Sequence, residues 1–300
     1  FILSNTLSDQ LLNSLDFNLT NAQSRCIQEI NDDLASSDPM LRLLQGDVGS
    51  GKTIVAVFAL IQAVENNFQA AIMAPTEILA RQHLQNFTQY LESLNIQIAY
   101  LSGSQNTQER RGQMSLIESG EAKIVIGTHA LFQESVSFKE LSLVIIDEQH
   151  KFGVHQRLSL TKKANNTPHQ LVMTATPIPR SLTMSAYADL DTSIINELPP
   201  GRQAVETIAL SNLRRDELIS KIRKISNEGR QIYWVCTLIE ESEALRAESA
   251  AITFQYLKDH LKDLTVVMIH GRLTKAEKES IMKDFEKGRI NLLVATTVIE

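Results

Sequence analysis

The sequence predicts an α/β protein with two lobes, each a parallel sheet covered by helices on both faces. Apolar runs of strand length alternate with helical segments along most of the 300 residues, which is the pattern of parallel strands buried between helices. The alternation breaks at a Pro-Pro-Gly segment near residue 200 and then restarts. A glycine-rich loop lies between the first strand and its helix, at the carboxyl end of the strand, where such sheets bind ligands.

The first lobe is predicted over residues 17–198, after a helical tail at 1–16. Thr20 and Gln23 form a capping-box pattern that opens the first helix of the lobe. Asn106 stands where the N-cap of a later helix is expected. Strands are predicted at 41–44, 70–74, 96–101, 123–127, 143–146 and 171–174, and helices at 20–34, 54–64, 76–91 and 107–117.

The second lobe is predicted over residues 204–300, joined to the first by a stiff linker at 199–203. Thr274 and Glu277 form another capping-box pattern. Strands are predicted at 204–210, 231–236, 265–269 and 290–295, and helices at 213–226, 241–260 and 276–286. This lobe carries no glycine-rich loop of its own, so two lobes that share one site are the simplest description.

Composition indicates an ordinary globular protein: 43% of the residues are hydrophobic and 21% are charged. The net charge of -6 gives no global electrostatic argument for nucleic acid, although it leaves room for a local basic groove. Two cysteines in no metal-binding spacing argue against a disulfide framework or a zinc site and favour a reducing cytosol. No apolar run approaches membrane-spanning length, so we expect no membrane partner.

The glycine-rich loop at 46–53 has the pattern of a phosphate-binding loop, G-x-x-x-x-G-K-T. Its glycines let backbone N–H groups point inward, and the helix that follows adds the positive end of its dipole. Lys52 is expected to reach the β- and γ-phosphates, and Thr53 to ligate Mg²⁺. The predicted nucleotide-binding residues of this loop are Gly46, Asp47, Gly49, Ser50, Gly51, Lys52 and Thr53. The sequence therefore predicts a nucleoside triphosphate site.

Asp147 and Glu148 end a buried strand at 143–146. Two adjacent carboxylates are costly to bury unless a cation compensates them, and Mg²⁺ at the triphosphate would do so. Asp147 is expected to hold the metal, and Glu148 to orient and deprotonate the attacking water. Lys52, Asp147 and Glu148 are thus the predicted catalytic residues. Phosphoryl transfer also requires a cation at the transition state, but neither Arg272 nor Arg289 lies in a recognisable arginine-finger context, and that role stays unassigned.

Taken in order, these motifs resemble those of superfamily-two helicases, and more specifically the RecG family of branched-DNA helicases. The strings that carry the resemblance lie at 73–80, 152–157, 175–180, 198–202, 270–272 and 294–300. The motor of the transcription-repair coupling factor shares the strings at 152–154 and 174–180. Gln149, the Gln-Arg pair at 156–157 and the string at 198–201 favour RecG.

The resemblance implies two RecA-like lobes, the second truncated, that bind ATP and Mg²⁺ and move on DNA. Phe17 and Gln23 match the adenine-recognition motif, although Gln23 taken alone is equally well explained as a local cap. Gln149, His150, Thr174 and Thr176 match coupling positions. Residues that match DNA-contacting positions are Pro75, Thr76, Gly103, Ser104, Thr128 and His129 in the first lobe, and His270, Gly271, Arg272, Thr296 and Thr297 in the second.

The family processes forks and Holliday junctions in recombination and repair in the bacterial cytosol, as a monomer. The chain stops inside the motif at 295–300, so the resemblance places the arginine-finger motif beyond it and leaves out the N-terminal wedge domain. We therefore expect this segment alone to bind ATP and hydrolyse it poorly. A P-loop phosphotransferase, a nucleotide-gated scaffold and an RNA-tracking motor are the alternatives.

Overall fold

The computed structural model describes residues 1–3, 6–148, 167–176, 190–202, 205–236 and 243–296. The chain divides into two compact units, Phe1–Ala204 and Val205–Glu300. The described strands of both units pair in parallel, in one sheet of seven strands and one of three. The predicted α/β class is therefore confirmed. No helix among the described residues is long and apolar enough to cross a membrane.

The first unit contains a seven-stranded sheet of order β3-β4-β2-β5-β6-β1-β7. Its strands are β1 (Leu41–Gly46), β2 (Gln69–Met73), β3 (Ile98–Leu101), β4 (Ile124–Gly127), β5 (Leu141–Asp147), β6 (His169–Thr174) and β7 (Asp191–Ile195). Its described helices are α1 (Thr6–Ser14), α2 (Asn21–Ala35), α3 (Lys52–Glu65), α4 (Glu77–Leu91) and α5 (Thr107–Ser119).

Side-chain caps fix where three of these helices begin. The Thr20 hydroxyl accepts the N–H of Gln23 and the Gln23 side chain accepts the N–H of Thr20, which completes the predicted capping box of α2. Thr76 caps α4 and Asn106 caps α5 in the same way, each accepting an N–H three residues on. These caps pair backbone groups that the first turn of a helix leaves without a partner.

The core of the first unit explains why α3 is central. Every residue from 54 to 63 in α3 is buried, and β2 and β4 are buried at every position. A helix buried all round, against strands buried on both faces, forms a rigid scaffold. This buried helix and these buried strands therefore support the loops at the carboxyl ends of β1 and its neighbours.

The edge strand β7 was not expected from the sequence. It pairs with β1, from Arg42 with Asp191 to Gly46 with Ile195, and only its last two residues are aliphatic. A polar half-strand lacks the apolar run by which the buried strands are recognised. The last residue of β7, Ile195, pairs with Gly46. The chain therefore leaves β7 beside the loop that follows β1.

The second unit contains a three-stranded sheet of order β8-β10-β9 among its described residues. The strands are β8 (Ile232–Val235), β9 (Val266–Ile269) and β10 (Leu292–Ala295), and the helices are α6 (Arg215–Asn227), α7 (Glu243–His260) and α8 (Lys275–Glu286). The predicted Thr274–Glu277 capping box opens α8.

The strand predicted at 204–210 does not form in the described residues 205–210. Val205 is 77% exposed and Ile208 is 53% exposed, and no strand of the described sheet pairs with this segment. The alternation of apolar residues suggested a strand, but a strand needs a neighbour to pair with its backbone. This expectation was wrong for the structure described.

Candidate functional site

The glycine-rich loop connects strand β1 to the buried helix α3. It turns through Gly49 and Gly51, whose φ angles are +72° and +89°, a conformation that costs glycine little. The N–H of Ser50 donates to the carbonyl of Asp47 at 3.0 Å, and the Asp47 carboxylate accepts the N–H of Val48 at 2.7 Å. The loop thus ends at the N-terminus of α3, where backbone N–H groups and the helix dipole favour an anion.

Lys52 is folded back over this loop. Its ammonium donates to the carbonyl oxygens of Gly46 at 2.7 Å and Asp47 at 3.1 Å. Burial lowers the pKa of Lys52, while the negative charges of Asp147 and Glu148 oppose that shift. The two predicted carboxylates therefore lie close enough to act on the predicted phosphate-binding lysine.

Asp147 ends β5 with its side chain held by a residue that the sequence had not singled out. His83 Nε2 lies 2.7 Å from the Oδ2 atom of Asp147, and both side chains are buried. Because a carboxylate only accepts, the geometry requires the Nε2–H tautomer as donor. His83 belongs to the buried face of α4, with Ala80 and Phe87. The sequence signal that could have identified it is a histidine at helical spacing among apolar residues.

Glu148 adopts a left-handed backbone conformation, with φ at +51°. Its N–H still donates to the carbonyl of Met173 at 3.0 Å. Non-glycine residues in this region are uncommon and concentrate at functional sites. Asp147, the residue before this turn, keeps its place in the ladder opposite Met173.

Gln23 joins the α2 cap to the glycine-rich loop. Its amide oxygen accepts the N–H of Thr20 at 2.9 Å, and its amide nitrogen donates to the carbonyl of Ser50 at 2.8 Å. The same amide nitrogen lies 2.2 Å from the position that a Cβ on Gly51 would take, so a larger residue at Gly51 would displace it. The capping role of Gln23 is confirmed, and its predicted contact with adenine stays a prediction.

Phe17 lies in different surroundings from Gln23. Its ring is 43% exposed and lines a surface pocket with Leu15, Tyr90 and other residues of the α1–α2 connection and of the end of α4. The glycine-rich loop contributes nothing to that lining. The predicted adenine-contacting role of Phe17 stays a prediction.

Two of the four predicted coupling residues, Thr174 and Thr176, lie at the end of β6. Thr174 is buried, its hydroxyl is 2.8 Å from the hydroxyl of Thr176, and it accepts the N–H of Thr176 at 3.2 Å. This local closure is typical of threonine side chains at turns. Gln149, His150 and Thr297 lie outside the described residues.

Residues predicted to contact DNA gather at the other half of the same sheet edge, after β2, β3 and β4. Glu77 connects two of these segments, since its carboxylate accepts the N–H of Ser104 at 3.0 Å and the Ser104 hydroxyl at 2.7 Å. Gly103 is exposed, with Glu77 and His129 side-chain atoms each 3.9 Å from where its Cβ would be. Pro75 and Thr76 are half-buried just before Glu77. The structure therefore brings the three segments together.

Thr128 differs from its neighbours on this edge. Its side chain is 1% exposed and its hydroxyl has no hydrogen-bond partner among the described residues, whereas His129 is exposed. In this conformation the Thr128 hydroxyl lies in the packing beneath the edge. The contact predicted between Thr128 and DNA stays a prediction.

In the second unit the predicted DNA-contacting residues divide in a similar way. Gly271 and Arg272 are exposed, and His270 is half-buried. Thr296 is only 7% exposed, and its N–H donates to the carbonyl of Ile269 at 3.4 Å. Burial argues against a direct contact by the Thr296 side chain and leaves 270–272 as the accessible part of the prediction.

Two family models match the chain: DEAD/DEAH box helicase over residues 20–185 and helicase conserved C-terminal domain over residues 214–300. The first model covers more than half of the chain and contains the glycine-rich loop, Asp147 and Thr174. The chain belongs to the DEAD/DEAH box helicase family. Its nucleotide-binding pattern and paired lobes are thus those of a helicase motor, and the predicted RecA-like fold is confirmed by the solved structures below.

Similar proteins narrow the resemblance further. The ATP-dependent DNA helicase RecG of Escherichia coli O157:H7 is 53% identical over 99% of this helicase chain, and that of Thermotoga maritima is 46% identical over 98%. A solved structure of RecG bound to a three-way DNA junction matches 99% of the chain, and 39% of its own, with 42% identity and a TM-score of 0.80. The predicted resemblance to RecG is confirmed.

The match covers only part of those relatives. The chain spans 43% of the length of the E. coli relative and 38% of the T. maritima relative. The DEAD-box helicase Mss116, solved with single-stranded RNA, shares the fold at a TM-score of 0.67 and 20% identity, over 96% of this chain and 62% of its own.

Proposed function

We propose that this chain is the ATP-driven motor of a RecG-type helicase that moves along branched DNA at forks and Holliday junctions. The observation that carries the proposal is Lys52 folded over the glycine-rich loop, near enough to Asp147 and Glu148 for their charges to act on it, in a chain 53% identical to RecG over 99% of its length. The RecG-named relatives favour this motor over that of a transcription-repair coupling factor. A DNA substrate would place the protein in the cytosol.

Lys52 and the loop backbone bind the triphosphate. The Lys52 ammonium, now on the carbonyl oxygens of Gly46 and Asp47, exchanges these partners for the β- and γ-phosphate oxygens. Burial lowers the pKa of Lys52, and the neighbouring carboxylates oppose that shift.

Asp147 and Thr53 are the residues that would hold Mg²⁺. No group of three or more His, Cys, Asp or Glu side chains in the described part of the chain could hold a metal unaided. That suits Mg²⁺, which proteins bind through one or two carboxylates together with substrate phosphates. The bound metal would neutralise phosphate charge. His83 fixes the Asp147 carboxylate for this purpose.

Glu148 is the proposed general base. Glu148 follows the proposed metal ligand by one residue, in a left-handed backbone conformation, and we assign the metal to Asp147 and the attacking water to Glu148. Glu148 would orient that water and accept its proton as the water oxygen bonds to the γ-phosphorus and the bond from that phosphorus to the leaving oxygen of ADP breaks.

The edge after β2, β3 and β4 is the proposed DNA track of the first unit, with Pro75, Thr76, Gly103, Ser104 and His129 as its accessible residues. Glu77 orients Ser104 there. Contacts of this kind hold the backbone of the nucleic acid and carry no sequence information.

Replacing Glu148 by Gln tests the catalytic assignment in the full-length protein. We expect ATP and DNA binding to persist while steady-state ATP turnover falls about 10²–10⁴-fold, the usual contribution of a general base. Glu118→Gln, on the exposed face of α5, is the matched control and should leave turnover unchanged. Turnover retained by Glu148→Gln would remove Glu148 from the mechanism.

A further inference from the structure

The Pro-Pro-Gly segment forms a tight turn that presents an arginine to the nucleotide loop. The N–H of Arg202 donates to the carbonyl of Pro199 at 3.2 Å, and Gly201 has a φ of +85°. Proline followed by a glycine of positive φ at the two central positions is the signature of a type II turn. The segment predicted as a linker therefore contains a defined turn, and this turn fixes the backbone position of Arg202.

The Arg202 guanidinium lies directly against Gly49. Its Nη1 atom is 1.8 Å, and its Cζ atom 2.8 Å, from the position that a Cβ on Gly49 would take. A side chain at Gly49 would therefore require the Arg202 guanidinium to move away from the loop, besides the strain of a φ of +72°. The glycine leaves room for a cation at the rim of the loop.

This cation has no carboxylate to neutralise it within the described part of the chain. Arg202 is exposed, and its positive charge acts on the nearby Lys52, helping to lower the pKa of that ammonium, although burial is the main cause. Two like charges near one anion-binding loop repel each other until an anion lies between them. The arrangement is thus complementary to a polyphosphate.

We propose that Arg202 is a nucleotide-binding residue that contacts the phosphates of ATP held by the glycine-rich loop; this inference rests on the nucleotide site proposed above. The guanidinium fork offers several N–H donors in one plane and suits bidentate contact with phosphate oxygens. Arg202 comes from the same unit as the loop, so the contact forms on ATP binding to that unit.

Binding of fluorescent mant-ATP with Mg²⁺ to the full-length protein tests this assignment. Arg202→Gln, which removes the charge and leaves a shorter polar side chain, should weaken the affinity about tenfold or more, and Arg202→Lys should lose less. Arg111→Gln removes the same charge from an exposed position on α5 and should bind as the wild type does. The slope of log affinity against log salt concentration should also decrease for Arg202→Gln.

The outcomes separate this inference from the proposed function. If the wild type binds mant-ATP, Lys52→Ala abolishes binding and Arg202→Gln binds as tightly as the wild type, the role of Arg202 is overturned while the nucleotide site stands. If the wild type does not bind mant-ATP, the proposed function itself fails. Unchanged thermal unfolding of Arg202→Gln without nucleotide would show that the loss of affinity is not a loss of fold.

Discussion

His83 illustrates how one buried side chain can control the chemistry of a neighbouring residue. It connects α4, which begins at the proposed DNA track, to Asp147 at the proposed metal site. The 2.7 Å contact fixes one oxygen of the carboxylate, and the ring packs near Phe87, with 5.6 Å between the ring centroids. Partners of metal ligands commonly set ligand orientation and affinity.

We expect His83→Phe to weaken metal binding about 10–100-fold, because the ring packing is kept but the donor to Asp147 is lost. The measurement is the affinity for Mn²⁺, followed by electron paramagnetic resonance, with a non-hydrolysable ATP analogue bound to the full-length protein. His83→Gln, which can place an amide N–H near the same point, should recover much of the affinity. Equal Mn²⁺ affinity in all three proteins would contradict this positioning role.

At the scale of single residues, sequence reasoning succeeded where a motif fixes both residue type and spacing. The strand and helix on either side of the loop at 46–53 and the Thr20–Gln23 capping box belong to this group. His83 and the geometry of Arg202 were missed, because each acts through a contact made only in the folded chain. The left-handed turn at Glu148 likewise has no signal in its residue type, since glutamate rarely adopts it.

At the scale of elements, β7 depends on a buried ion network around Arg42. The Arg42 guanidinium is 2.6 Å from Asp33 in α2 and 4.0 Å from Asp191 in β7, and it donates to the Ser193 hydroxyl at 3.0 Å. Ser193 also donates to Glu29. Neighbouring acids raise the pKa of Arg42 although burial opposes them. The network ties the edge strand to α2 and thereby steadies the chain that leads to Arg202.

Arg42→Met should loosen β7. Removing one partner of a buried ion pair costs about 3–5 kcal/mol, and roughly 2 kcal/mol is expected here because the acids are partly exposed and screened. Hydrogen–deuterium exchange at residues 191–195 should then accelerate roughly thirtyfold. Arg214→Met, which breaks an exposed pair with Glu217 in the second unit, should leave this exchange unchanged. Equal exchange at residues 191–195 in the two variants would show that the Arg42 network does not hold β7.

The elements that sequence patterns predicted well are those with strong periodicity and a cap. The capping boxes that open α2 and α8 form as expected. The edge strand β7 and the exposed coil at 205–210 were not foreseen, because strand formation there is decided by the presence or absence of a neighbouring strand. Local pattern carries no information on such pairing.

At the scale of the whole molecule, the first unit separates its two proposed tasks along one sheet edge. The loops after β1, β5 and β6 carry the nucleotide residues, and those after β2, β3 and β4 carry the accessible DNA residues. Strands β2 and β5 are neighbours in the sheet order, and the His83–Asp147 contact links the two halves. Both sets of loops follow strands of the same buried sheet. We therefore expect a movement of the nucleotide loops to be transmitted to the DNA loops.

The type of nucleic acid is the central claim about the whole molecule. The fold alone does not decide it, because the RNA-bound Mss116 structure shares that fold, and backbone contacts alone do not identify the sugar. The preference for branched DNA rests on the RecG relatives, of which this chain spans 43% or less. It is therefore a property to be measured on the full-length protein.

The most direct test is the steady-state ATPase rate of the full-length protein with a three-way DNA junction, a linear DNA duplex or single-stranded RNA. We predict that the junction stimulates turnover severalfold more than the linear duplex and that RNA does not stimulate it. Lys52→Ala should remove the rate with every substrate. Equal or greater stimulation by RNA, or no stimulation by any nucleic acid, would contradict the account.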